Sequence, residues 1–233
     1  METSLPPSEP TSDASAPADP PRRSVPLALA LLTGPWGFVV ANGAYAWATR
    51  AGGGDSTGAE ALALEAAHPG LMRLGSLAAM LASLLMVPVV LGVKRLLGGR
   101  SPRLGFVGTV LTGAGYMCYF AIVFSGITTS VMAERGGPLA DYAAVIDSSQ
   151  SDPSAIWVFL LFVLGNLVGT LLLGLALVRS RAVPLWAGAA VIAWPVLHVI
   201  GLVVGSEWFE VTGATLEAVG LAVVGLRLLA APR

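Results

Sequence analysis

The stretch that decides the fold covers residues 183–229 and reads VPLWAGAAVIAWPVLHVIGLVVGSEWFEVTGATLEAVGLAVVGLRLL. It contains two apolar runs, 183–204 and 208–229, separated only by Gly205-Ser206-Glu207. A helix of about 20 residues rises about 30 Å, which is the thickness of the hydrocarbon core of a bilayer. The stretch therefore predicts two membrane-spanning helices joined in a tight antiparallel hairpin.

The rest of the chain repeats this pattern of long apolar blocks. Four more blocks of similar length lie upstream, at about 26–48, 71–93, 104–132 and 155–178. The chain is 55% hydrophobic and only 12% charged, whereas soluble domains carry about 25% charged residues. Backbone groups in lipid need internal hydrogen-bond partners, which helices supply. We therefore predict an all-α, polytopic membrane helix bundle with six transmembrane helices in one domain, residues 25–233.

The segment before the first block has a different composition. Residues 1–24 are rich in Pro, Ser and Ala, and they end in Arg22-Arg23. Such a segment cannot bury enough apolar surface to offset the entropy of ordering it. We predict a disordered cytoplasmic tail.

The basic residues alternate between the two sides of the predicted bundle. Ten lie in the tail, in the even-numbered connections or at the C-terminus: Arg22, Arg23, Lys94, Arg95, Arg100, Arg103, Arg179, Arg181, Arg227 and Arg233. Only Arg50, Arg73 and Arg135 lie on the other side. Because cytoplasmic loops are enriched in Lys and Arg, this alternation predicts that both termini are cytoplasmic.

An alternative interpretation of the first block is a cleaved signal peptide. Arg22-Arg23 precede it, and Ala44-Tyr45-Ala46 resembles a small-residue cleavage site. The apolar run is long for a signal peptide, however, and the tail before it is acidic. We favour a retained span; cleavage would leave five spans and an outer N-terminus.

The segment Gly174-Leu-Ala-Leu-Val-Arg-Ser-Arg-Ala-Val-Pro-Leu-Trp-Ala-Gly188 resembles a segment of uncharacterised six-span integral membrane proteins of high-GC bacteria. The similarity extends mainly over spans two to five, and it implies a multi-span helical fold without a known activity. Lys94 is the single lysine among 13 basic residues, and this bias also favours a high-GC bacterial source. We expect a multi-pass protein of the bacterial cytoplasmic membrane.

Motifs of soluble enzymes are absent from the sequence. It contains no Walker loop, no H-E-x-x-H, no C-x-x-C, no G-x-S-x-G and no dinucleotide fingerprint. A net charge of −1 gives no indication of nucleic-acid binding. We predict no cofactor: haem held by His68 and His198 is disfavoured, because their expected depths differ by one to two helical turns.

A few polar residues lie within the predicted spans. Glu217 falls near the middle of span six, and Glu210 lies seven residues earlier on the same helical face. Folding the hairpin places His198 of span five at a depth between these two carboxyl groups. Asn166 in span four and Asn42 in span one are candidates to join the cluster. Ionisable groups at membrane depth are costly and usually face the bundle interior.

This cluster supports three functional hypotheses. The first is a small permease or transporter, in which the cluster binds a proton, a cation or a small amphiphile. The second is a non-catalytic membrane subunit that assembles with a membrane protein partner or as a homo-oligomer, with the polar groups bonding helices together. The third is an intramembrane enzyme that acts on a lipid or hydrophobic metabolite, with Glu217 as acid or base. In every case the lipid bilayer is the surrounding partner.

Overall fold

A computed structural model describes residues 23–232, so residues 1–22 of the predicted tail lie outside the described residues. Six helices in it are long and apolar enough to cross a membrane, as the sequence predicts. We call them spans 1 to 6. Their bounds are Val25–Thr49, Pro69–Leu97, Pro102–Arg135, Pro153–Ser180, Leu185–Val204 and Trp208–Ala230.

The spans form a closed ring in chain order. Each span packs against the next one along the chain, and span 6 packs back against span 1. At the point of closure, the backbone N–H of Arg23 donates a hydrogen bond to the carbonyl of Pro232 over 2.9 Å. Spans 2 and 6 also contact each other across the ring. These two spans are consequently the most buried of the six.

The outer surface of the ring is apolar. Side chains such as Met117 (65% exposed), Leu160 (58%) and Val203 (82%) point away from the bundle. An exposed apolar surface of this extent would promote aggregation in water, whereas hydrocarbon solvates it. The protein is therefore an integral, multi-pass membrane protein.

The two ends of the bundle differ in structure. One end carries two further helices, Gly58–Ala67 and Leu139–Gln150, which pack on each other and on span 3. We call these the first and second cap helices, and this end the capped end. The opposite end, called the basic end, carries the short connections between spans 2 and 3 and between spans 4 and 5.

Two spans are interrupted within the bundle. Span 1 consists of Val25–Thr33 and Trp36–Thr49, joined through Gly34 and Pro35. Proline has no N–H to donate within a helix, which explains the break at this point. Span 4 widens into a π-helical turn at Leu164–Gly169, between α-helical segments Pro153–Val163 and Thr170–Ser180.

The π-helical turn lies at the closest approach between spans 3 and 4. A Cβ placed on Gly165 would lie only 2.5 Å from the Cα of Gly115, and one on Gly169 would lie 2.6 Å from the backbone nitrogen of Thr112. Small residues allow helix backbones to approach in this way. The Gly165-x-x-x-Gly169 pattern thus belongs to the internal packing of the ring.

Candidate functional site

The polar centre of the bundle is built around Asn166, which is 3% exposed. Its side-chain oxygen, Oδ1, accepts a hydrogen bond from the Tyr116 hydroxyl and another from Trp194 Nε1, each over 2.9 Å. Asn166 lies on the π-helical turn of span 4, Tyr116 on span 3 and Trp194 on span 5. One amide oxygen therefore connects three spans inside the membrane.

Aromatic packing fixes the position of Tyr116. Its ring stacks on that of Phe38 from span 1, with 4.7 Å between ring centroids. The ring of Tyr119, one turn further along span 3, stacks on Phe162 of span 4 at 4.6 Å. The phenol of Tyr116 is consequently held in place by contacts from neighbouring spans as well as by its hydrogen bond.

Two buried threonine hydroxyls lie near this centre, those of Thr112 and Thr170. Thr112 and Thr170 are each 1% exposed, and neither Oγ1 atom forms a hydrogen bond of normal geometry. The Thr170 side chain lies close to the Tyr116 phenol. Buried polar groups are normally paired, so the Thr112 hydroxyl adds unused hydrogen-bonding capacity near the polar centre.

Glu217 lies on span 6, facing the interior of the ring, and is 3% exposed. It is ten residues into the span, about 13 Å from the capped end of the helix. The carboxyl group forms no hydrogen bond or ion pair with another described residue. It is close enough to Tyr116 for the two side chains to interact electrostatically. Glu217 is thus an ionisable group at membrane depth without a direct partner among the described residues.

Trp194 connects Glu217 to the Asn166 centre. The indole packs on Gly213 of span 6, where an added Cβ would lie 3.1 Å from Trp194 Cε3. Gly213 precedes Glu217 by four residues, so both lie on the same face of the helix. A glycine at this position lets span 5 approach span 6 and places the indole beside the Glu217 face.

Closer to the capped end, His198 and Glu210 meet across the hairpin of spans 5 and 6. His198 Nδ1 lies 3.0 Å from Glu210 Oε1, a distance typical of an ion pair, although the angles do not suit a hydrogen bond. The side chains are 19% and 15% exposed, respectively. The His198 ring also lies beside the Trp194 ring, with 5.3 Å between centroids. His198 therefore lies between the Glu210 carboxylate and the polar centre.

Acidic residues are clustered at the capped end, next to the contact between His198 and Glu210. The Tyr45 hydroxyl donates a hydrogen bond of 2.8 Å to Asp55 Oδ1. Glu207, in the connection between spans 5 and 6, has a raised pKa, chiefly because burial disfavours its charged form. The Glu210 and Asp55 carboxylates raise this pKa further, whereas His198 lowers it. Asp55, Glu207 and Glu210 therefore interact electrostatically with one another. We call these three residues the mouth.

The sequence-predicted residues fall at different places in this arrangement. Glu217 and Asn166 are buried near the middle of the bundle, and His198 and Glu210 are in contact nearer the capped end. Asn42 is half-buried on span 1 and forms no side-chain hydrogen bond with a described residue. Four of the five candidates thus form one row of polar side chains, which runs from the capped end to the middle of the bundle. Asn42 makes no hydrogen bond to this row, although its part of span 1 packs against span 6.

Tyr116 and Trp194 belong to the polar centre but were not among the candidates. Both look like ordinary apolar-block aromatics in the sequence. Buried Tyr and Trp usually find a hydrogen-bond partner, and Trp194 precedes His198 by one helical turn. The four-residue spacing from His198 could have indicated that Trp194 belongs to the polar centre. No neighbouring residue in the sequence gives a similar indication for Tyr116.

Within residues 23–232, no group of three or more His, Cys, Asp or Glu side chains is arranged to hold a metal ion. His68 lies at the junction between the first cap helix and span 2. The chain matches no protein-family model, and no curated protein or solved structure shows significant similarity to it.

Proposed function

We propose that the protein is a small permease that carries protons, with Glu217 as the group that binds the proton inside the membrane. The observation that carries this proposal is the isolation of the Glu217 carboxyl. A charge at the centre of a bilayer costs about 3 kcal/mol on insertion scales. Intramembrane acids without a structural partner therefore indicate function by default.

The purely structural alternative, in which Glu217 bonds two helices together, has less support. A carboxyl group that stabilises a helix contact donates or accepts a hydrogen bond. Asn166 does this with two partners at 2.9 Å, whereas Glu217 has none among the described residues. The chain thus contains a separate side chain that satisfies the structural role.

The row of polar groups supports a route for protons from the capped end. Starting at the mouth, it passes the Glu210–His198 contact and reaches Trp194 and the Glu217 face. Histidine changes its charge near neutral pH and is suited to relay protons. The indole of Trp194 has a donor but no acceptor. It therefore separates His198 from Glu217 and requires a water molecule or a side-chain movement for transfer.

The π-helical turn offers a place for such a movement. π-Helical turns inside α-helices occur frequently at functional sites. Here the turn carries Asn166, the acceptor that holds Trp194 in place. A change in this turn would release the indole and open the connection between His198 and Glu217.

The test is proton flux into liposomes that contain the purified protein and an internal pH-sensitive dye. A pH difference is imposed while valinomycin and potassium clamp the membrane potential. We expect wild-type protein to accelerate pH equilibration over protein-free liposomes at least tenfold. Glu217→Gln should abolish this acceleration, because glutamine cannot bind and release a proton, and Glu217→Asp should retain part of it.

The matched control is Glu60→Gln, which removes one carboxylate from the exposed surface of the first cap helix. It should conduct like wild type. If Glu217→Gln is folded and inserted but also conducts like wild type, the carboxyl group does not carry the proton. Flux indistinguishable from protein-free liposomes would contradict the proposal as a whole.

A further inference from the structure

The basic end contains two clefts of the same construction. One cleft, of about 510 Å³, is lined by Val178, Arg179, Arg181, Val183 and Leu185. The other, of about 270 Å³, is lined by residues that include Lys94, Arg100 and Phe106. In each case the end of one span and the start of the next enclose the space, at the connections between spans 4 and 5 and between spans 2 and 3.

The basic side chains of both clefts are available to a ligand. Arg179 and Arg181 are exposed, and neither pairs with another described side chain. In the second cleft, the Lys94 ammonium lies 5.3 Å from the centroid of the Phe106 ring. Arg100 has an exposed side chain that pairs with no described residue. Each cleft therefore brings two positive charges together, and no carboxylate among residues 23–232 pairs with them.

Each cleft contains a non-glycine residue whose φ angle is positive. Among the described residues, Ser101 (φ 52°) and Arg181 (φ 53°) are the two non-glycine residues with positive φ. One lines each cleft. Residues held in the left-handed region cost of order 1–3 kcal/mol and concentrate at functional sites. The coincidence of both with the paired basic residues sets these two connections apart from the others.

The remaining walls of the clefts indicate the kind of anion. Leu185 lines the larger cleft and is 69% exposed, and Phe106 lines the smaller one and is 56% exposed. Leu185 is the first residue of span 5 and Phe106 the fifth residue of span 3, and both belong to the apolar outer surface of the bundle. A freely soluble anion gains nothing from these apolar walls, whereas a phospholipid places its phosphate on the basic groups and its acyl chains along the apolar ones.

We propose that each cleft binds the phosphate headgroup of an anionic phospholipid, with Arg179 and Arg181 forming the stronger site. Two guanidinium groups can bind phosphate oxygens in the bidentate geometry that Arg favours. The volume of the larger cleft lies within the range of about 300–1,000 Å³ typical of small-molecule sites. This inference is independent of the proposed proton transport.

The test measures the thermal unfolding of the full chain in a neutral detergent with added lipid. Phosphatidylglycerol should raise the Tm of the wild type by several degrees, and phosphatidylcholine should not. In the double variant Arg179→Gln/Arg181→Gln most of this increase should be lost. Lys94→Gln/Arg100→Gln should lose a smaller part.

The matched control is Arg103→Gln/Arg227→Gln, which removes two exposed positive charges from the same end without altering either cleft. It should keep the full increase. An equal loss in this control would show a general charge effect and overturn the proposal. So would an equal increase with inorganic phosphate, because the site would then bind a soluble anion.

A single variant, Arg179→Gln, makes the test independent of the folding of the double variant. It leaves the left-handed backbone at Arg181 unchanged and should lose about half of the lipid-induced increase in Tm. Retention of the full increase in this variant would overturn the assignment of the stronger site to Arg179 and Arg181.

Discussion

Tyr116 and Trp194 donate hydrogen bonds to the same atom, Oδ1 of Asn166, each over 2.9 Å. The two donors come from spans 3 and 5, which flank span 4 in the ring. The shared acceptor thus fixes the spacing of three neighbouring spans at membrane depth. It also fixes the indole that lies between His198 and the Glu217 face.

Asn166→Ala should destabilise the protein by about 1–3 kcal/mol, because two buried donors lose their acceptor at once. Tyr116→Phe should cost only about 0.6 kcal/mol, since the acceptor keeps its bond to Trp194. Thermal or denaturant unfolding in detergent measures both. Val168→Ala, on the lipid-facing side of the same turn, serves as the control and should change little. Equal losses for Asn166→Ala and Tyr116→Phe would show that the shared bond does not hold the spans.

Gly165→Ala should disrupt the contact between spans 3 and 4. The new Cβ would lie 2.5 Å from the Cα of Gly115 and 2.8 Å from its nitrogen, so only a backbone shift can accommodate it. Overpacking of this kind typically costs about 1–3 kcal/mol. In the matched control Gly126→Ala on span 3, the Cβ meets nothing within 4 Å. Unfolding temperatures compare the two, and an equal effect would argue against close packing at Gly165.

Glu65, on the first cap helix, should make the stability of the capped end depend on pH. The side chain lies among Ser130, Arg73 and Glu134, and the residue is 8% exposed. Burial raises the pKa of its carboxyl group and Glu134 raises it further, whereas the Ser130 hydrogen bond and Arg73 lower it. The folded state therefore binds the proton more tightly than the unfolded state. Stability of the cap falls as pH rises from the ordinary glutamate pKa through the raised one.

Glu65→Gln stays neutral and should escape this fall. Amide hydrogen exchange over the first cap helix, compared with wild type at matched pH, should show greater protection in the variant at neutral pH. At a pH below the ordinary glutamate pKa, the difference should disappear. Glu60→Gln on the exposed side of the same helix should show no such pattern. A constant difference at all pH values would mean that ionisation of Glu65 is not its cause.

The positive-inside pattern predicts that the capped end faces outward. Cysteine labelling in intact bacterial cells tests this orientation, in a background where Cys118 is replaced by serine. Glu60→Cys on the first cap helix should react with a membrane-impermeant maleimide, whereas Arg100→Cys at the basic end should react only after permeabilisation. The reverse pattern would contradict the prediction that both termini are cytoplasmic.

The spans could be predicted because bilayer thickness determines the length of an apolar helix. The predicted block 208–229 and the helix Trp208–Ala230 differ by one residue at one end. The second cap helix, Leu139–Gln150, was not predicted, because its twelve residues lie in a polar connection and neither length nor hydropathy marks it. The π-helical turn was also not predicted, because it results from the packing of span 4 on span 3 and not from a local sequence pattern.

The candidate site could be predicted only in part: the depth of each residue was predictable, but the contacts between non-adjacent spans were not. Depth along a span is readable from the sequence, and it placed His198 beside Glu210 through the tight turn of the hairpin. Which faces of non-adjacent spans meet is not readable in this way. The sequence therefore does not predict that Tyr116 on span 3 donates directly to Asn166. It also does not predict that Asn42 forms no side-chain hydrogen bond with a described residue.

The central claim, that Glu217 exchanges a proton inside the membrane, is tested most directly by infrared difference spectroscopy of the reconstituted protein between acid and alkaline pH. We predict that wild type loses a protonated-carboxyl carbonyl band as pH rises, and that Glu217→Gln lacks this band while Glu60→Gln keeps it. A Glu217 carbonyl band that persists unchanged at every pH, or that is absent at every pH, would contradict the account.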